Sequence, residues 1–177
     1  LNALREFWDV EGDEATLAAV YRIIPAVVRV TGPAFAGSGV VIDSSGKVLT
    51  NAHLVGDAAE VSVVVEDSRY LTGRVVRTDI KRDLALVQLP QGAYSWASLA
   101  VGSTPAQGSP VMVVGYPLGL SGPASVTAGV VSRLLNEPEL HRKILQTDAA
   151  INLGNSGGPV LEAQGTVIGI VVSVMGN

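Results

Sequence analysis

Gly154-Asn155-Ser156-Gly157-Gly158-Pro159 sets a single serine between glycines on both sides. Glycine costs nothing at positive φ, so such a run allows a sharp turn that exposes the hydroxyl and leaves neighbouring backbone amides unobstructed. The amides of Gly154, Asn155 and Ser156 are the candidates for an oxyanion hole, with Gly154 and Ser156 the natural pair. One such donor contributes about 2.7 to 4 kcal/mol to lowering an acyl-transfer barrier. A glycine-rich turn with a serine is common in proteins without chemistry, so the turn needs partners elsewhere in the chain.

A serine hydroxyl is a weak nucleophile at neutral pH. It needs an imidazole as base, and the imidazole needs a carboxylate to fix its tautomer. The chain holds two histidines. His53 follows an apolar strand in Leu49-Thr50-Asn51-Ala52-His53-Leu54-Val55, where a side chain can be presented at a sheet edge. His141 lies in the polar stretch Asn136 to Lys143 and reads as a surface residue. Among the acids, Asp83 opens the apolar run Leu84-Ala85-Leu86-Val87-Gln88-Leu89, which places its carboxylate where a sheet meets the site. Asp79, four residues earlier, is the competing candidate but is not joined to that run.

Chain order separates the folds that build this constellation. Gly154-Asn155-Ser156-Gly157-Gly158 also fits the nucleophile elbow of α/β-hydrolases, which requires the order Ser, Asp, His; no histidine follows Ser156. A subtilisin-like order could use Asp43 before His53, but it demands an α/β layout. The order His53, Asp83, Ser156 is that of the chymotrypsin arrangement of two β-barrels.

The periodicity agrees. Leu17, Val20, Tyr21 and Ile24 recur at spacings of three and four, which predicts one amphipathic helix from about Asp13 that ends before Pro25. From there the pattern changes to short β-branched runs: Ala26–Thr31, Gly39–Ile42, Lys47–Thr50, Glu60–Val65, Thr72–Arg77 and Leu84–Leu89. Six strands suit one small barrel. Past the turn-rich Pro90 to Trp96, further runs at Pro110–Val114, Ser125–Ser132, Lys143–Thr147, Gly158–Leu161 and Val167–Val174 predict a second. The fold class expected is therefore all-β, two six-stranded antiparallel barrels with a short N-terminal helix. Residues 1–24 form an extension, 25–92 the barrel carrying His53 and Asp83, and 93–177 the barrel carrying Ser156.

Composition bounds the chemistry. In 177 residues, 47% are hydrophobic and only 16% charged, so many strands must be buried on both faces. A net charge of −4 without any Lys/Arg cluster gives no footprint for nucleic acid or an anionic membrane. Without cysteine, and with two histidines, neither a disulfide framework nor a thiolate or His-rich metal cage is expected, so the chemistry is read as free of cofactor and metal. No apolar run reaches the length of a membrane helix, and the start at Leu1, without the layout of a signal peptide, reads as a processed or trimmed piece.

Four blocks resemble the trypsin-like peptidases, and among them the bacterial HtrA (Deg-type) protease domains. These are Thr50-Asn51-Ala52-His53-Leu54-Val55; Asp83-Leu84-Ala85-Leu86-Val87; Val126-Thr127-Ala128-Gly129-Val130-Val131-Ser132; and Gln146 to Asn152 running on to Gly154-Asn155-Ser156-Gly157-Gly158-Pro159. The resemblance implies endopeptidase action on polypeptides, including unfolded proteins, through an acyl-enzyme. It also implies a role in protein quality control, a homotrimer and an extracytoplasmic location in the periplasm or cell envelope. Asn155 stands where secreted trypsins carry Asp, which implies that no activation step pairs a new N-terminus with that acid. Ala150, with Ile151 and Val171, is implied to form the primary specificity pocket, suited to a small or medium aliphatic side chain. Leu153 replaces a usual Pro, and the sequence stops before the strand and helix that the family places after Val174-Met175-Gly176-Asn177, so the C-terminal end is expected to be incomplete. Two alternatives remain: a latent binding module on the same fold, and an esterase using the same three residues.

Overall fold

The computed structural model describes residues 13–117 and 122–172. Helix α1 (Asp13–Ile23) is followed by a 3-10 turn (Ile24–Ala26) that carries Pro25, as the spacing predicted. Its inward face is Ala19, Val20 and Ile23, whereas Tyr21 is 40% exposed. Of the predicted stripe Val20 is buried, Leu17 and Ile24 are half-buried and Tyr21 turns outward, while Ala19 and Ile23 lie against Gly165.

Six strands close a barrel: β1 (Val27–Thr31), β2 (Ala36–Val41), β3 (Lys47–Thr50), β4 (Glu60–Val65), β5 (Arg69–Asp79) and β6 (Leu84–Gln88). They are ordered β1-β2-β3-β6-β5-β4, with every pair antiparallel. In β6 the alternation is plain, Ala85 and Val87 pointing inward and their neighbours half-buried. β1 buries Val27, Val28, Arg29 and Val30 in succession, the two-sided burial that the low charge content required. Between β3 and β4 a single turn of helix, α2 (Ala52–Val55), carries His53.

The second half is a sheet of five strands among the described residues: β7 (Pro110–Gly115), β8 (Ser125–Glu137), β9 (Arg142–Thr147), β10 (Pro159–Glu162) and β11 (Val167–Ile170). They are ordered β11-β10-β7-β8-β9. It stands where a second six-stranded barrel was expected. β8 runs five residues past the predicted Ser132, through a bulge between Val131 and Arg133 beyond which Arg133 to Glu137 pair with β9. The far end of the run predicted to reach Val174 lies outside the described residues, as does the start of the N-terminal extension.

One core spans the two halves. Val30, Val40, Val63 and Val87 of the barrel share a cluster with Met112, Val114, Leu161 and Val167 of the second sheet. A smaller cluster of Val111, Val113, Val131, Ala149, Val160 and Val171 lies on the other face of that sheet. Strands β2 and β7 meet where these layers join, and there the serine turn is seated.

Candidate active site

The strand before α2 ends in Asn51, whose extended backbone (φ −87°, ψ 148°) lifts the next four residues into one helical turn. Gly56 closes it at φ 54°, its amide donating to the Ala52 carbonyl. So short a turn holds His53 at the barrel edge, its side chain 40% exposed. Asp83 enters from the β5–β6 connection with φ 54°, a left-handed conformation that Asp tolerates better than most residues.

Both oxygens of the Asp83 carboxylate face His53. Oδ2 lies 2.7 Å from His53 Nδ1, and Oδ1 accepts the His53 backbone amide at 2.9 Å. An ionised carboxylate can only accept, so Nδ1 carries the proton and Nε2 is left as the basic nitrogen. The Asn51 side-chain amide donates to the Asp83 carbonyl at 2.9 Å, so both the main chain and the side chain of the acid are tied to the segment that bears the histidine. The ring of Phe35 meets the imidazole edge-on, with centroids 6.3 Å apart.

The competing residues are occupied elsewhere. Asp79 takes Arg82 Nη1 at 2.5 Å and the Arg82 amide at 3.1 Å, and the guanidinium holds its carboxyl below the usual range. Asp43 sits in the β2–β3 turn, bonded to Ser45 and Lys47, which hold its carboxyl well below the usual range. His141 caps the 3-10 turn Pro138–Leu140 in a left-handed conformation and is exposed, its carbonyl accepting Arg82 Nε at 2.9 Å.

Across the junction, Gly154 (φ 96°) and Gly157 (φ 84°) both take positive φ, which makes the tight turn around Ser156. A Cβ on Gly157 would overlap the Ser38 carbonyl, so only glycine lets the turn settle on β2. The turn is then bonded on all sides: Ser38 N donates to the Ser156 carbonyl at 2.7 Å, Gly157 N to Val171 O and Gly158 N to Asn155 O, each at 2.9 Å. Gly37 is wedged between the two half-sites, since a Cβ there would lie 2.6 Å from Leu54 Cδ1 and 2.7 Å from the Ser156 carbonyl oxygen. Leu54 adjoins His53, so the histidine turn and the serine turn converge on one glycine.

Of the three expected oxyanion donors, the Asn155 amide is spent within the turn, donating to Asn152 O at 3.0 Å. The Gly154 amide has no acceptor among the described residues. Asn155 itself is 1% exposed, and its side-chain amide has no hydrogen-bond partner among those residues. A carboxylate in that position would be a buried charge in need of a cation, a cost that the neutral amide avoids.

The expected pocket residues divide. Ala150 and Ile151 are exposed beside the turn, as is Leu153 at 62%. Val171 is 2% exposed and packs in the smaller core, so its backbone, through Gly157 and Gly158, meets the turn and its side chain does not open to solvent. The segment leading in is fixed by β8: Thr127 Oγ1 donates to Ala150 O and Val130 N to Asp148 Oδ1, each at 2.7 Å. Sequence reasoning passed over Ser38 and the side chain of Asn51. For Ser38 a signal existed, since Gly37-Ser38-Gly39 repeats the flanking-glycine pattern of the serine turn.

A closed barrel bearing a hydrogen-bonded His–Asp pair adjoins a sheet whose serine turn is set between positive-φ glycines, the architecture of the two-unit trypsin-like fold. The model of the trypsin-like peptidase domain matches residues 37–170, and the chain belongs to that family. The HhoA protein of Synechocystis sp., which bears a serine protease name, is 43% identical over 162 residues, covering 87% of this chain and 40% of that one. The serine protease HtrA-like protein of Staphylococcus aureus is 36% identical over 152 residues, 77% of this chain and 20% of that one. The crystal structure of the serine endoprotease from Yersinia pestis superposes with a TM-score of 0.76 at 33% identity, over 88% of this chain and 56% of that chain. The chain thus spans less than half the length of the curated relatives it matches.

Proposed function

We propose that this chain is the catalytic portion of a serine endopeptidase that cleaves polypeptides through an acyl-enzyme. Ser156 is the nucleophile, His53 the general base and Asp83 the residue that orients the histidine. The observation that carries the reading is the double contact of the Asp83 carboxylate with the His53 ring and backbone, at 2.7 and 2.9 Å. With Nδ1 protonated, Nε2 takes the Ser156 proton as Oγ attacks the scissile carbonyl, and the imidazolium so formed faces the carboxylate. The oxygen of the tetrahedral intermediate is assigned to the amides of Gly154 and Ser156. Collapse expels the amine, which receives the proton from Nε2, and water repeats the sequence to release the acid.

Ala150, Ile151 and Leu153, exposed beside the turn and without charge, favour cleavage after small or medium aliphatic residues. Action on unfolded proteins in quality control, assembly as a homotrimer and an extracytoplasmic site belong to the same proposal and rest on the family likeness. The deciding experiment is fluorophosphonate labelling of the native protein beside Ser156→Ala, with intact mass to locate the adduct, followed by turnover of matched peptide and ester substrates. Stoichiometric labelling lost in the variant, with peptide turnover, supports the endopeptidase. Ester turnover alone supports an esterase, and no labelling of folded protein supports a latent binding module.

A further inference from the structure

Ser38, in the middle of β2, is fully buried. It uses every one of its hydrogen-bonding groups at the junction of the two half-sites. Its amide donates to the Ser156 carbonyl at 2.7 Å. Its hydroxyl accepts from the Tyr116 amide at 2.9 Å, which fixes the hydroxyl proton toward the Gly154 carbonyl, 2.7 Å away. Its carbonyl accepts from Thr50 Oγ1 at 2.7 Å, three residues before His53. A single residue thus grips the carbonyls on either side of Asn155 and is itself tied to the strand that leads into the histidine turn.

We propose that Ser38 is a positioning residue that aims the Gly154–Ser156 turn at the site, its hydroxyl holding the Gly154 carbonyl and its amide the Ser156 carbonyl so that the Gly154 and Ser156 amides keep the orientation required of oxyanion donors. The assignment rests on the endopeptidase reading above. Its physical basis is that a peptide plane turns as a unit: the Gly154 carbonyl is held by Ser38 and the Asn155 amide of the same plane by Asn152 O, so the Gly154 ψ angle is set and the turn cannot relax about Gly154. No solvent reaches a side chain with zero exposure, so in Ser38→Ala both the Tyr116 amide and the Gly154 carbonyl lose their partner without replacement. The turn then samples other orientations, and transition-state stabilisation falls while ground-state contacts, made by other residues, persist.

The test is the inactivation of wild type, Ser38→Ala and Ser38→Cys by a fluorophosphonate probe, resolved into maximal rate and half-saturating concentration across neutral to mildly alkaline pH. Amide hydrogen exchange of residues 151–159 is followed alongside. Removing an oxyanion donor outright slows reaction about 10²- to 10³-fold; displacing donors through a lost anchor should slow the maximal rate roughly 10- to 100-fold. The half-saturating concentration and the position of the pH profile stay unchanged, since the hydrogen bonds of Ser38 go to Gly154, Ser156, Tyr116 and Thr50 and not to His53 or Asp83, and exchange quickens at 151–159 but not in β3 and β6. Ser38→Cys, a weaker donor of similar shape, falls between, and it carries the comparison where the alanine variant does not fold. A folded Ser38→Ala with wild-type rate, or with a raised half-saturating concentration alone, overturns the assignment and leaves the peptidase intact. If the wild type itself fails to label, the peptidase reading falls, and exchange at 151–159 decides Ser38: quickening upholds the anchor and unchanged exchange overturns it.

Discussion

Replacing Asp83 with asparagine isolates one electronic feature from everything else in the site. The two side chains have the same shape, and Asn is as much at home as Asp at the φ of 54° found there, so the backbone is not perturbed. In the native arrangement both carboxylate oxygens accept, one from His53 Nδ1 at 2.7 Å and one from the His53 amide at 2.9 Å. An asparagine has one acceptor and one donor to offer in those places. If its oxygen keeps the backbone amide, its NH2 faces Nδ1, which must then be unprotonated, and the ring proton moves to Nε2, where a base is required. If the amide is flipped, its NH2 opposes the His53 N–H and the helical turn is pushed away. Either way the competent tautomer is lost, for which the same change in a triad enzyme gives a fall in kcat of about 10⁴, or about 5 kcal/mol of barrier at 1.36 kcal/mol per tenfold. Stability should drop less. One charge-assisted bond at a carboxylate 19% exposed contributes about 1.5 to 3 kcal/mol, equivalent to a melting-temperature loss of about 3 to 12 °C for a chain of this size. Single-turnover acylation with burst titration of intact sites reads the first quantity, and calorimetry the second. An Asp83→Asn protein that acylates within tenfold of wild type would refute the reasoning and move the orienting role away from Asp83.

Asp79→Asn should leave acylation within about twofold of wild type, because its carboxylate is engaged with Arg82 at the surface and exposed pairs contribute little; the kinetic comparison with Asp83→Asn checks this directly. Gly157→Ala places a Cβ against the Ser38 carbonyl at a φ of 84°, so we expect a destabilisation of about 2 to 4 kcal/mol from backbone strain and overpacking, read as a lowered melting temperature. Burial, with a smaller contribution from Asp67, raises the Tyr116 phenol above its ordinary value. A pKa raised in the folded state contributes stability that is complete below the unfolded value of about 10 and is lost as pH climbs through the folded one. Denaturant unfolding of Tyr116→Phe above pH 10 should therefore show a shallower alkaline decline than wild type, and an identical decline would count against the burial of that hydroxyl.

The parts that were legible in the sequence are those that short-range periodicity encodes. β3 and β4 have the predicted ends, because Gly46 and Asn51 bound the run Lys47–Thr50, and Val61 and Val63 alternate with Glu60 and Ser62 in a run that stops at Glu66. The chain order of His53, Asp83 and Ser156 selected the architecture because few folds can present those groups in that succession. Side-chain detail at the junction was not legible. Val171 is implied to line the pocket by the family resemblance, yet its backbone is bonded to Gly157 and Gly158 and its side chain packs in the smaller core. Tyr21 fits the helical stripe, but it is exposed while Ala19, outside the stripe, lies against Gly165. The Asn155 amide looks available in a linear string and is consumed by a carbonyl three residues back, which follows only from the three-dimensional path of the turn.

The two half-sites differ in how their geometry is secured, and this bears on how activity and stability are coupled. The His53–Asp83 pair is internal to the barrel: β3 and β6 are hydrogen-bonded neighbours, with Thr50 paired to Ala85, so forming that ladder brings the acid to the histidine. The serine turn has no comparable local ladder. Its carbonyls are held by Ser38 of the barrel, its amides by Val171 and its own loop, and the seat beneath it requires β7 to deliver the Tyr116 amide to Ser38. Its conformation is therefore a property of the contact between the two β-units. Because the main core runs through that contact, from Val30 and Val40 to Val114 and Leu161, the turn gains its rigidity from the same burial that holds the halves together. Perturbations at the junction should thus act on reaction rate through the turn before they act on the histidine pair, which the barrel alone can maintain.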